Sequence, residues 1–219
     1  MSKFKLFAFR ALAVLLLLGG VFGGGTYYGY QLPRAIDPQD NIETSFMPYQ
    51  SGIDTYLKFM DGTRQSLRVA VYNLSDPRVV DKAIELKQRG VNDIIFLLDK
   101  SQTVSRSGPK EQALINRLRA AGIEVVVGTS EQKHNIMHLK VTIRDGLWVE
   151  DGSWNYSKSA NTQANDINII KSPKRAALFL ADWQRMYAFM KTQDQTPWIK
   201  VKSVAPNANA TDTPDEPTD

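Results

Sequence analysis

At 219 residues, with 42% hydrophobic side chains, the chain can bury one α/β core of ordinary size, which excludes a natively unfolded polymer. It contains no cysteine, which excludes a disulfide frame, a thiolate metal site and a cysteine nucleophile. The net charge is +4; setting aside three bases (Lys3, Lys5, Arg10) of the total 27 and four acids (Asp212, Asp215, Glu216, Asp219) of the total 23 leaves a body charge of +5, suited to an anionic partner.

The three bases precede Ala11–Tyr30, 20 residues without a charge that end in Tyr27, Tyr28 and Tyr30. That is the length of a membrane-spanning helix with tyrosines at interface depth, and the positive flank stays in the cytoplasm. Residues 1–30 therefore read as a signal anchor. A cleavable signal peptide is the alternative, because Gly23 and Gly25 are small, although no Ala-x-Ala occurs. Either way the rest of the chain is exported: held on the bacterial inner membrane and facing the periplasm or the exterior, or secreted. Residues 31–45 are polar with Pro33 and Pro38 and read as a linker. Residues 46–200 hold the folded domain, and 201–219 form a polar, acidic tail expected to be disordered.

Within the domain, Ile53, Tyr56, Leu57 and Met60 recur at helical spacing ahead of a strand over Leu67–Tyr72. Asp76-Pro77 caps a helix that stops at Gly90, and a strand follows over Ile94–Leu98. A helix from Pro109 to Gly122 leads to the strand Ile123–Val127. A hairpin then turns at Asp145-Gly146, a short strand covers Ile167–Ile170, and Ser172-Pro173 opens a last amphipathic helix. This order predicts an α/β fold with a mixed, mostly parallel sheet flanked by helices on both faces. No internal repeat is present.

The hairpin carries the chemistry. Its pattern, Val141 and Ile143 alternating with Thr142 and Arg144, is that of a half-buried strand. Alternation puts His138 and Lys140 on one face, about 7 Å apart, with Leu139 and Val141 turned to the core. After the turn, Ser153 and Asn155 follow Gly152, which permits close backbone approach. An imidazole, a fixed cation and two neutral hydrogen-bonding groups suit an anionic ligand, with Lys and Asn stabilising oxygen charge and the imidazole doing proton or covalent work. The chain's other histidine, His134, has no comparable surroundings. No metal-ligand cluster or cofactor motif is evident, and none is expected.

The run His138-x-Lys140-x4-Asp145-x6-Gly152-Ser153-x-Asn155 resembles the HKD signature of the phospholipase D superfamily at every defining position. The resemblance extends from about Phe46 to Thr192 and takes in Val71-Tyr72-Asn73-Leu74, Lys87-Gln88-Arg89-Gly90-Val91 and Asp99. The single motif is similar to that of small bacterial endonucleases and mitochondrial one-motif members. It implies a metal-independent phosphodiesterase working through a phosphohistidine. His138 of one subunit would attack phosphorus and the same residue of a second subunit would protonate the leaving oxygen, in a C2 homodimer that shares one site. Lys140 and Asn155 would hold the nonbridging oxygens, assisted by Ser153, and Asp145 would brace the loops more than touch substrate. Eleven residues beyond Asn155 the nuclease-like members carry a Glu that orients the histidine; here Asp166 stands in that place, one methylene shorter.

Three readings of the partner follow. The first is DNA or RNA outside the cytoplasm, served by the positions Lys100, Arg106, Lys110, Lys133 and Lys158. The second is phospholipid of the membrane that the N-terminal segment touches. The third is nucleic-acid binding without turnover, which an intact His-Lys-Asn set disfavours because binding alone needs no nucleophile.

Overall fold

The computed structural model describes residues 41–104, 108–132 and 134–193. The expected N-terminal span, most of the linker and the C-terminal tail lie outside them. Among the described residues no helix is long and apolar enough to cross a membrane.

The elements run β1 (Asn41–Phe46), α1 (Gly52–Asp61), β2 (Ser66–Val71), α2 (Pro77–Gln88), β3 (Asp93–Asp99), α3 (Lys100–Val104), α4 (Gly108–Ala120), β4 (Glu124–Gly128), β5 (Lys140–Arg144), β6 (Trp148–Gly152), β7 (Asp166–Lys171) and α5 (Pro173–Lys191). A 3-10 turn, Ser159–Asn161, lies between β6 and β7. Local chemistry explains the boundaries. The Asp76 carboxylate accepts the Arg78 N–H at 3.0 Å to cap α2, with Pro77 in its first turn. Ser172 caps α5 in the same way through the Arg175 N–H at 3.2 Å. At the far end of α2, Gly90 takes φ +96° and the Val91 N–H closes onto the Leu86 carbonyl.

All seven strands form one sheet in the order β1-β7-β6-β5-β2-β3-β4. The expectation of a mostly parallel sheet is corrected here. Only β2–β3 and β3–β4 pair in parallel, while β2–β5, β5–β6, β6–β7 and β7–β1 are antiparallel. Helical crossovers, which parallel neighbours require, join only β2 to β3 and β3 to β4. Residues 41–45, assigned to the linker by composition, belong to the edge strand β1, which pairs with β7 from Asn41 opposite Lys171 to Phe46 opposite Asp166.

One face of the sheet packs Leu67, Val69, Phe96, Leu98 and Val127 against Tyr56, Phe59, Val80, Leu86 and Leu118 of α1, α2 and α4. The other packs Ala70, Leu97, Val126, Val141, Ile143 and Val149 against α5, whose buried residues Ala176, Trp183 and Met190 recur every seventh position. Helices therefore cover both faces, as expected. The half-buried reading of the hairpin fails on β5, where all five residues are buried. This strand sits in mid-sheet, so Lys140, Thr142 and Arg144 are buried, and Thr142 and Arg144 bond the Tyr56 hydroxyl and the Phe59 carbonyl of α1. Polar groups in that layer pair with one another. The Thr142 hydroxyl joins Tyr56 Oη at 2.8 Å and Tyr156 Oη at 2.7 Å, and Tyr156 donates to Glu150 Oε2 at 2.5 Å.

Candidate active site

Strands β2, β3 and β6 end, and β5 and β7 begin, at one end of the sheet, the usual place for ligands in open α/β sheets. His138 lies there, exposed, two residues before β5. Backbone contacts on both sides fix its segment. Buried Asp99, the last residue of β3, accepts the Met137 N–H at 2.6 Å through Oδ2, and the Tyr72 N–H donates to the Leu139 carbonyl at 2.8 Å. The Tyr72 ring stands 4.6 Å from the imidazole at 61° between planes.

Lys140 opens β5 and is only 6% exposed. Its ammonium donates to the His138 carbonyl at 3.0 Å and lies 3.1 Å from Nδ1 and 3.0 Å from Nε2 of the same residue. The two side chains, about 7 Å apart at the backbone, thus converge at their tips. Burial pushes the Lys140 ammonium down to about 8, still largely charged at neutral pH.

The second wall comes from the turn after β6. Gly152 has φ +151°, and a β-carbon there would meet the Asp166 carbonyl oxygen at 2.3 Å, so the close approach of β6 to β7 requires glycine. Ser153 then locks onto Asp166. Its hydroxyl donates to Oδ1 at 2.6 Å and accepts the Asp166 N–H at 3.0 Å. Asp166 Oδ2 accepts from Asn168 Nδ2 at 3.0 Å. The Ser153 hydroxyl is the main reason the Asp166 carboxyl lies below the usual carboxylate range. Asn155 is half-buried, and its Oδ1 is buried with no hydrogen-bond partner.

His138, Lys140, Ser153, Asn155 and Asp166 therefore share one end of the sheet. Asp145 does not, and its inclusion among catalytic residues is corrected. It follows the last residue of β5, about 16 Å along the strand from Lys140. There Oδ1 accepts the N–H groups of Arg64, Gln65 and Ser66 at 3.2, 2.8 and 3.0 Å. These bonds tie the turn after β5 to the segment that enters β2. Among the basic positions, Lys100 follows Asp99 at the site end, Lys158 precedes the 3-10 turn, and Lys110 lies on α4; Arg106 and Lys133 fall outside the described residues.

The sequence did not single out Tyr72, Gln102 or Asn73 as site residues. Gln102 Nε2 donates to Tyr72 Oη at 2.6 Å, and Gln102 Oε1 accepts from Asn73 Nδ2 at 2.9 Å. The available signal was the placing of Tyr72-Asn73 at the carboxyl end of a core strand.

Residues 56–187 match the family described as "Cardiolipin synthase, PLD-like domain". Among curated proteins, a mitochondrial cardiolipin hydrolase of Chlamydomonas reinhardtii is 23% identical over 154 residues, 70% of this chain and 64% of that protein. The chain thus spans less than two thirds of that relative's length. A phospholipase D of Rickettsia prowazekii is 29% identical over 149 residues, 66% of this chain and 67% of that protein. Among solved structures, the phospholipase D family member Nuc from Salmonella typhimurium superposes with a TM-score of 0.62 at 26% identity, covering 68% of this chain and 95% of Nuc. With the family match spanning more than half of the 219 residues, the chain belongs to the PLD-like domain family of the phospholipase D superfamily.

Proposed function

We propose that this protein hydrolyses phosphodiester bonds of DNA or RNA through a covalent phosphohistidine on His138, in a homodimer whose two copies of the motif share one site. The observation that carries the reading is the exposed His138 imidazole with the Lys140 ammonium within 3.1 Å of both ring nitrogens, at the open end of the sheet. In the free protein that ammonium covers both ring nitrogens. An arriving phosphodiester draws the ammonium onto a nonbridging oxygen and uncovers one ring nitrogen.

The uncovered nitrogen forms a bond to phosphorus as the P–O bond to the leaving alcohol breaks. His138 of the partner subunit, entering as imidazolium, gives its proton to that departing oxygen. Water then attacks phosphorus and breaks the P–N bond, passing its proton to the now neutral imidazole of the partner subunit. Lys140 and Asn155 hold the nonbridging oxygens, and Ser153, set by Asp166, shapes the turn beside them. These groups supply the positive charge and donors for the phosphate, so turnover is expected in chelator. The body charge of +5 and the one-motif arrangement favour nucleic acid, and localisation is proposed as periplasmic or extracellular, through residues 1–30.

Phospholipid is the second reading, favoured by relatives named phospholipase D and cardiolipin hydrolase. The full chain, incubated in chelator with plasmid DNA, RNA, and phosphatidylcholine or cardiolipin vesicles, separates them. Cleaved nucleic acid with intact lipid is the expected result. The reverse selects the lipid reading, and binding of DNA without any cleavage overturns both. Acid quench in mid-turnover should leave phosphate on His138, and His138→Ala should abolish turnover while keeping the thermal midpoint. A strictly monomeric active enzyme would remove the shared site.

A further inference from the structure

We infer that Tyr72 positions the His138 imidazole for attack, and that Gln102 holds Tyr72 in place; the inference rests on the phosphohistidine reading above. β2 ends at Val71, and the chain bends at Tyr72 while its N–H stays on the Leu139 carbonyl, between His138 and Lys140 in sequence. The bend delivers the ring to both functional groups. It stands 4.6 Å from the imidazole, edge to face, and the Lys140 ammonium lies 5.4 Å from its centroid. The imidazole turns on two rotatable bonds, and the Tyr72 ring closes off part of the space they could sweep.

The ring has its own fastening. Both ends of the Gln102 amide are committed, Nε2 to the Tyr72 hydroxyl at 2.6 Å and Oε1 to Asn73 Nδ2 at 2.9 Å. Gln102 lies on α3, whose start is fixed by Asp99. That carboxylate accepts the Ser101 N–H at 2.8 Å and the Ser101 hydroxyl at 2.5 Å through Oδ1. Its other oxygen holds the Met137 N–H beside His138. A single buried carboxylate therefore sets both the helix that carries the clamp and the segment that carries the nucleophile. The spacing between ring and imidazole is determined from both sides.

The test uses the full chain and bis(4-nitrophenyl) phosphate, a small diester indifferent to the choice between nucleic acid and lipid. Tyr72→Leu should lower kcat on the order of ten- to a hundredfold, the cost of a misplaced reacting group, with KM held within about twofold. Tyr72→Phe should give a smaller loss, Gln102→Leu, which also frees Asn73, a loss at least as large, and the double variant should be no worse than Gln102→Leu, which already breaks the bond that Tyr72→Phe removes. A structural readout accompanies the kinetics. The chain has two histidines, so His138→Ala assigns the imidazole resonances directly. The His138 ring protons should lose their ring-current shift in Tyr72→Leu and keep it in Tyr72→Phe. Unchanged kcat in Tyr72→Leu overturns the inference. So does a kcat loss with the His138 resonance unmoved, or one matched by a fall in thermal midpoint alone. A wild type inactive on every phosphodiester defeats the functional reading instead, and the resonance still reports the contact.

Discussion

Asp166 and Ser153 are joined twice through the serine hydroxyl, which donates to the carboxylate at 2.6 Å and accepts the aspartate's own N–H at 3.0 Å, and again through the Ser153 N–H, which donates to the same carboxylate oxygen at 3.2 Å. The carboxylate that the resemblance to the family led us to expect beside the histidine is thus bonded to the Gly-Ser turn, with its second oxygen on Asn168. Its shorter reach suits a neighbour on the adjoining strand.

The two residues should then act as one unit. Ser153→Ala and Asp166→Ala are each expected to lower kcat, and the double variant to lose no more than the worse single one. The coupling should be about 1–2 kcal/mol, the size found for residues in direct hydrogen-bond contact. Additive losses in a double-mutant cycle would show that Asp166 works through another group.

The buried ammonium makes a pH prediction. With Lys140 held down to about 8 by burial, kcat/KM should fall on the alkaline side near that pH as the proton leaves and the charge on the nonbridging oxygens is no longer met. Lys140→Arg carries a charge that does not titrate in this range, so the component near pH 8 should disappear, leaving only the limb set by loss of the partner imidazolium's proton, even though the rate is lower throughout. A pH–rate profile of both proteins checks this; a component near pH 8 retained in Lys140→Arg would assign it to another group.

Much of this architecture was legible because local chemistry and tertiary structure agree. Asp76-Pro77 and Ser172-Pro173 start helices in the structure because their side chains meet the free N–H groups of the first turn. The hairpin around Asp145-Gly146 and the Gly-Ser-x-Asn turn likewise follow from residues that tolerate positive φ. What was not legible depends on neighbours distant in sequence. β1 is a polar segment that becomes a strand only because β7 offers an edge. α3 has five residues, too few for a periodic signal. The burial of Lys140 follows from the mid-sheet place of β5, and the return of Tyr72 onto His138 from a bend that no propensity marks.

Asp145 offers a stability prediction separable from activity. It sits at φ +55° and accepts three backbone N–H groups from the segment leading into β2. Asp145→Ala loses those acceptors and meets strain in the left-handed region, and should cost about 2–3 kcal/mol in denaturant unfolding. Asp145→Asn keeps an acceptor and tolerates the same φ, so its cost should be smaller. Both variants should retain wild-type kcat below their unfolding transitions. A specific loss of kcat in folded Asp145→Asn would return this residue to the catalytic set.

Two buried glutamates should make the fold less stable as pH rises. Burial raises the Glu150 carboxyl to about 8, with Oε1 left without a partner, and raises Glu111 to about 8 beside the Leu74 N–H and Asp99. Both therefore stay protonated in the folded chain at pH values where the unfolded chain, near 4.5, has released its protons. In that window the folded state binds more protons, so stability falls with rising pH, from full below about 4.5 to its lowest once the folded groups ionise near 8. Glu150→Gln removes one titration without changing side-chain volume, and Glu111→Gln removes the other. Urea midpoints at about pH 5, 6.5 and 8 should decline in the wild type, decline less in each single variant, and stay nearly level in the double variant, whatever constant offset the amides introduce. A wild-type midpoint that rises between pH 5 and 8 would mean that carboxylates with lowered values, Asp166 among them, dominate the linkage instead.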